Sequence, residues 1–201
     1  MTQRVEFMAF RDLLGSVAEV NDEISVEHGM FDHSSATSHA PVLFNSITEA
    51  PGQRSALNVL ARDRLCSLFK VTPGELIDIL AWAMANPAEP EIVDATSAPV
   101  LENTQASVDL NALPIPWHYR EDRGRYQSAS VIIAEYEGVR NMSYHRQFLR
   151  DANHCVARFV PRHLRTMTDK ARANGDQVNI AVVNGADATV LLAAAMSFTH
   201  D

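Results

Sequence analysis

The feature that most limits how this chain can fold is the crowding of extended segments between positions 127 and 160. Residues 127–136 are rich in small and β-branched side chains, which suit a pleated surface. Glu137-Gly138 supplies a turn, and residues 139–149 return as the second arm of a hairpin. Residues 154–160 add a third strand. Pro161 suits a first helical position, and the helix expected over 161–173 carries Leu164, Met167 and Ala171 inward before Asn174-Gly175 ends it. A buried strand is expected over 178–183. Asp187 is expected to cap an Ala-rich helix over 189–195.

The first hundred residues alternate helix and strand instead. Phe7, Phe10, Leu13, Leu14 and Val17 recur at helical spacing and predict an opening amphipathic helix, weakened at Gly15. Residues 23–27 alternate and predict a strand. The stretch HGMFDHSSATSHA holds His28, His33 and His39, but their spacing fits no standard metal site. Its Ser-rich composition predicts a solvated loop. Residues 42–45 and 56–60 read as short strands, with Pro51-Gly52 turning between them, and residues 62–69 as a short helix. Thr72-Pro73-Gly74-Glu75 is a capping box with proline at the first helical position. The helix it starts sets Leu76, Ile77, Leu80 and Met84 on one side and stops at Asn86-Pro87. Residues 88–106 are rich in Pro, Glu and small side chains, with strand-like pieces such as Ile92-Val93, and suggest a domain boundary. The fold class is therefore α/β (α+β), with an α/β domain over 1–105 and a mostly β domain over 106–201.

At 201 residues the chain can hold one large or two small cores. The net charge of −8 argues against nucleic acid as a partner, which needs a basic face. No apolar run is long enough to span a bilayer, and MTQRVEFMAFRDLL lacks the apolar centre of a signal peptide. A cytoplasmic protein with no membrane partner is expected. Cys66 and Cys155 lie far apart and suit free thiols better than a disulfide, with no catalytic role.

The chemistry concentrates between Asn141 and His163. Asn141 offers an amide oxygen and His163 an imidazole nitrogen, which together could hold a divalent cation bridging to a phosphate at the helix N-terminus. Arg146 and Arg162 could add guanidinium forks. Strand parity sets Asn141, Ser143 and His145 on one face and Met142, Tyr144 and Arg146 on the other. Asn141 and Arg146 then meet only if the strand bulges or ends between them, or if they contact different parts of a large ligand. The same alternation also suits a half-exposed strand without a ligand, and Arg146 a surface ion pair.

Several ordered segments resemble the UbiD family of prenylated-FMN-dependent reversible decarboxylases. Asn141-Met142-Ser143-Tyr144-His145-Arg146 is similar to its Asn-x-Ser-x-x-Arg signature, and Pro161-Arg162-His163 to its Pro-x-His turn. Leu113-Pro114-Ile115-Pro116, His118, Asp122, Gly124 and Tyr126 resemble its LPIP run, where His118 and Asp122 read as structural supports. Gly185-Ala186-Asp187 with the residues 191–195, and Phe10-Arg11-Asp12-Leu13, also fit.

The resemblance implies a lyase whose second domain is the first half of a split β-barrel that binds prenylated FMN. It implies that Asn141 and His163 ligate Mn2+ or Mg2+ at the cofactor phosphate, with K+ as a further ion. Arg146 would be catalytic, beside the reactive ring and the carboxylate of a small-molecule acid. Ser143, Tyr144, His145, Arg162, Met196 and Ser197 would complete the cofactor contacts. A homo-oligomer or a completing C-terminal chain is the implied partner. The family usually has a helix near the polar stretch after His28, and its members run to more than twice this length. Their third metal ligand, a Glu shortly after the Ala-rich helix, and their acid/base glutamates match no residue here. The chain alone is therefore expected to be inactive. The alternatives are a non-catalytic binding module and one piece of a split enzyme.

Overall fold

The computed structural model describes residues 10–15 and 17–196. It opens on a 3-10 turn, Phe10–Leu14, rather than an amphipathic helix; Phe7 lies outside the described residues, and Val17 directly precedes a strand. The first sheet has the order β1-β2-β3, with β1 (Ala18–Val20) parallel to β2 (Val42–Phe44) and β2 antiparallel to β3 (Ser55–Leu57). The strand expected over 23–27 is absent and only single bridges, Ile24 to Ile47 and Glu27 to Trp117, form there. The Glu49 carboxylate explains why. It accepts from the Ser25 hydroxyl and, at 2.8 Å, from the Val26 N–H, taking a donor that a ladder would need.

The polar stretch expected as a loop forms helix α1, Gly29–Ala36. Its propensity is poor, but Met30 and Ser34 are buried, and Met30 packs with Val26, Val42 and Phe44. Tertiary burial overrides composition here. The helix that the resemblance implies near this point is thus present. Helices α2 (Arg62–Phe69) and α3 (Pro73–Ala85) form as their sequences dictate. The Thr72 N–H donates to Glu75 Oε2 at 2.8 Å, and the Glu75 N–H donates back to Thr72 Oγ1 at 3.4 Å. The inward stripe of α3 is Leu76, Ile79 and Leu80, while Ile77 and Met84 are exposed. The helix meets α2 along a narrow face, and i, i+3, i+4 spacing fills it. Residues 88–109 carry two short 3-10 turns, Ala95–Ser97 and Pro99–Leu101; Ile92 and Val93 are exposed and not in a strand.

Beyond Tyr126 two antiparallel sheets form. One has the order β4-β7-β8, from β4 (Tyr126–Gln127), β7 (Gln147–Asp151) and β8 (His154–Ala157). The other has the order β6-β5-β9, from β5 (Val131–Tyr136), β6 (Val139–Tyr144) and β9 (Asn179–Val183). Each long strand expected from the sequence is therefore cut in two and passes from one sheet to the other. The cuts fall at residues 128–130 and 145–146. There Ser130 and Gln147, 1% and 3% exposed, bond to each other at 2.9 Å. Among the described residues the two sheets do not close into a barrel. Glu137 and Gly138 link β5 to β6 with φ of 51° and 78°, the left-handed pair of a type I′ turn.

Helix α4 (His163–Asn174) covers one face of β5 and β6, where Ile132 and Ala134 meet Leu164 and Met167. It starts two residues after Pro161, with Arg162 as its N-cap. Helix α5 (Ala188–Ala195) covers the other face, and Asp187 caps it by accepting from the Thr189 N–H at 2.7 Å. Under α5, Val131, Leu191 and Ala194 join Leu13, Val59, Leu65 and Leu76, so one core runs from the first part of the chain into the second. Strand β9, expected to be buried, is an edge with Ile180 48% and Val182 37% exposed, because α4 lies over β5 and β6 instead.

This packing sets a stability ranking. Leu164→Ala opens a cavity under α4 and should cost about 2–5 kcal/mol in urea unfolding. Ile180→Ala, at the open edge, should cost less than about 1 kcal/mol. Equal losses would show that β9 is covered in solution.

Candidate functional site

Asn141 pairs with Ala134 across the β5–β6 ladder, and Ser143 with Ile132. Directly paired residues project to the same face. Ala134 and Ile132 lie under α4, so Asn141 and Ser143 also point to the α4 side. His163 is the first residue of α4, so an amide, a hydroxyl and an imidazole share one side of the sheet. The Asn141 side chain is half-buried and makes no hydrogen bond within the described residues. The Arg162 side chain does not cap α4, which leaves the first-turn N–H groups of a 12-residue helix without that partner.

His145 stays with this group although the strand ends at Tyr144. A ring nitrogen lies 3.1 Å from Ser143 Oγ, and the imidazole meets Phe159 edge-on at 5.0 Å. Burial holds its pKa below the ordinary value, against a backbone hydrogen bond at Arg158. Tyr144 points the other way. Its hydroxyl donates to the Leu191 carbonyl of α5 at 2.9 Å, and burial pushes its phenol up.

Arg146 sits past the end of β6, where the chain crosses to β7, so the strand ends between it and Asn141. Its Nη2 lies 3.3 Å from Asp122 Oδ1, and its guanidinium lies 4.6 Å from the Tyr126 ring centroid. Arg162 is exposed, Met196 is the half-buried C-cap of α5, and Ser197 lies outside the described residues. Among the described residues no three His, Cys, Asp or Glu side chains are grouped to hold a metal.

The opposite face holds a cleft of about 790 Å³ between β3 and β4, walled by Leu57, Ile115, His118, Tyr126, Gln127 and Tyr144. Its walls come from segments far apart in sequence, and the LPIP run is the one local signal of it. His118 is held below its ordinary pKa chiefly by burial, with Asp122 opposing and Arg146 reinforcing the shift.

These two histidines give a pH dependence. His118 and His145 both have folded values below the ordinary 6.5, so the folded state binds fewer protons than the unfolded one. Their contribution to stability is fully present above about pH 6.5 and is lost as the pH falls. Glu49, whose folded value is also lowered, acts in the same direction at more acidic pH. His118→Gln should flatten the fall in urea midpoint between about pH 7.5 and 5.5. An unchanged slope would remove the buried neutral imidazole from the account.

Residues 91–201 match the family model described as UbiD, 3-octaprenyl-4-hydroxybenzoate carboxy-lyase Rift-related domain. The anhydromevalonate phosphate decarboxylase of Methanosarcina mazei is 32% identical over 193 residues, which are 92% of this chain and 44% of that protein. Its counterpart in Methanothermobacter thermautotrophicus is 31% identical over 96% of this chain and 45% of its own. An evolved dimeric form of the UbiD-class enzyme HmfF from Pelotomaculum thermopropionicum, solved with prFMN, aligns with TM-score 0.82 at 26% identity. That alignment covers 89% of this chain and 44% of HmfF. The chain spans less than half the length of these relatives. With more than half of the chain inside the family model, an α/β fold whose later part holds two unclosed sheets, and Asn141, Ser143 and His163 on one side of the sheet β6-β5-β9, the chain belongs to the UbiD family.

Proposed function

We propose that this chain carries the phosphate-and-metal end of a UbiD-type decarboxylase site, together with its arginine, and works with prenylated FMN. The observation that carries this reading is the alignment of Asn141 and Ser143 on the face where α4 opens with His163. The residues fit the group. A half-buried amide with no hydrogen bond among the described residues is a ready oxygen ligand, and the α4 N-terminus is a ready phosphate site. Asn141 and His163 would hold Mn2+ or Mg2+ there, and Ser143 would face the same phosphate. When bound, prenylated FMN supplies the place for the electron pair that CO2 leaves behind.

Arg146, one sheet crossing away, matches a carboxylate in two-point contact and would orient the acid. The Tyr144 hydroxyl, bonded to the Leu191 carbonyl, fixes the end of β6 against α5 and so sets where that crossing begins. The curated relatives are named for anhydromevalonate phosphate, and HmfF was solved with prFMN. The substrate class proposed for this chain is a small aromatic or α,β-unsaturated carboxylic acid. The open edge of β9, with Ile180 and Val182 exposed, suits further polypeptide of an oligomer or a completing chain.

The test is reconstitution of the 201-residue chain with prenylated FMN and Mn2+. Two neutral protein ligands should give weak flavin retention through desalting, and no acid should turn over near 1 s⁻¹, roughly the low end of ordinary enzyme rates. Asn141→Ala and His163→Ala should each lower retention a further ~10-fold or more. Equal retention in both variants would overturn the placement of the metal. Tight retention with turnover would overturn the expectation that these residues alone do not suffice.

A further inference from the structure

The geometry points to Asp122 as a positioning residue that holds the Arg146 guanidinium in the place an incoming carboxylate takes. This rests on the reading that Arg146 meets the carboxylate of the acid. Asp122 is the anchored member of the pair. Its N–H donates to the Tyr119 carbonyl at 3.0 Å, and its own carbonyl accepts from Trp117 Nε1 at 3.2 Å. Its side chain is 23% exposed, against 62% for Arg146. The Tyr126 ring lies against the guanidinium at 4.6 Å, so one face of the fork is shielded and its direction is set from two sides.

The contact with Asp122 is a single N–O approach at 3.3 Å and not a paired fork. Its energy as an exposed ion pair is small, while a free carboxylate in two-point contact gains more. Asp122 is therefore exchangeable by an acid. Before the acid arrives it keeps the long arginine side chain from sampling other rotamers and fixes the plane in which the fork opens. Without the Asp122 carboxylate the acid must itself order the long Arg146 side chain on binding, and this cost exceeds the small gain from losing an exposed competing charge, so binding of the free acid weakens. A neighbour with only a structural role would leave that affinity unchanged.

The experiment follows the Arg146 Nε–Hε resonance in the full chain, identified by its loss in Arg146→Lys, while sorbate is titrated in. Sorbate is an unsaturated acid without an aromatic ring, so it adds no ring current of its own. In the wild type the resonance should carry the shift of the Tyr126 ring and move as sorbate binds. In Asp122→Asn, which keeps the backbone bonds to Tyr119 and Trp117, it should move before any acid is added. Sorbate should then bind about three- to fivefold more weakly, and tighter binding would overturn the positioning role. Circular dichroism checks that each variant is folded. Should Asp122→Asn unfold, Asp122→Glu keeps the charge but displaces it, and is expected to move the resonance with sorbate affinity within twofold. If the substituted, folded chain leaves the resonance and affinity unchanged while Arg146→Lys abolishes binding, the role of Asp122 is overturned and the role of Arg146 stands. If Arg146→Lys binds sorbate as well as the wild type, or if neither wild type nor Asp122→Asn binds it, both are overturned.

Discussion

The buried hydrogen bond between Gln147 Nε2 and Ser130 Oγ is the constraint on which the second half of the chain depends. Each group alone, out of water and unpaired, would cost about 1–3 kcal/mol. Paired, they let polar residues sit where two strands leave one sheet and enter the next. Gln127 extends the polar seam, accepting from Asn184 at 2.9 Å and lying 3.6 Å from Cys155 Sγ. A continuous hairpin would have kept Arg146 in the same ladder as Asn141, on the opposite face. The crossing instead moves Arg146 beside β4, where Asp122 and Tyr126 receive it.

The sheet β6-β5-β9 then divides the chemistry between its two faces. On the α4 side the polar groups Asn141 and Ser143 sit beside the apolar contacts of Ile132 and Ala134 with Leu164 and Met167. That cluster fixes the height of α4 over the sheet, and so where its N–H groups point. On the α5 side, Tyr144 and Met142 join a core that reaches back to Leu65 and Leu76. The first part of the chain therefore acts as a buttress: it packs under α5, whose Leu191 carbonyl holds the Tyr144 hydroxyl at the strand end from which the crossing starts.

Much of this was legible where the determinant is local. The Thr72 to Glu75 capping box, the Glu137-Gly138 turn, the Asp187 cap and the inward stripe of α4 all rest on neighbours within a few residues. The failures have distant causes. Helix α1 depends on burial of Met30 against Phe44, and the lost strand over 23–27 depends on Glu49. The sheet crossing depends on a partner 17 residues away, which a strand pattern rich in small residues does not reveal. In the site, parity and motif placed Asn141 and Ser143 on one face of β6, as the register has them. They did not place Arg146, whose neighbours Asp122 and Tyr126 belong to the LPIP run read as structural support.

The ligand types on the α4 side carry one further consequence. An Asn amide and a His imidazole are both neutral, so the chain offers a divalent ion dipoles but no compensating charge from these two residues. A hard cation held by such a pair gains most of its electrostatic stabilisation from an anion that arrives with it. In the proposed reading the phosphate of the cofactor would be that anion, and the α4 N-terminus would favour it independently. Metal and phosphate would then bind together or weakly: the ion lowers the repulsion among phosphate oxygens, and the phosphate supplies the charge the side chains lack. Arg146 and Arg162 are both exposed, and in the proposed reading Arg146 would exchange its single contact with Asp122 for the carboxylate of the acid.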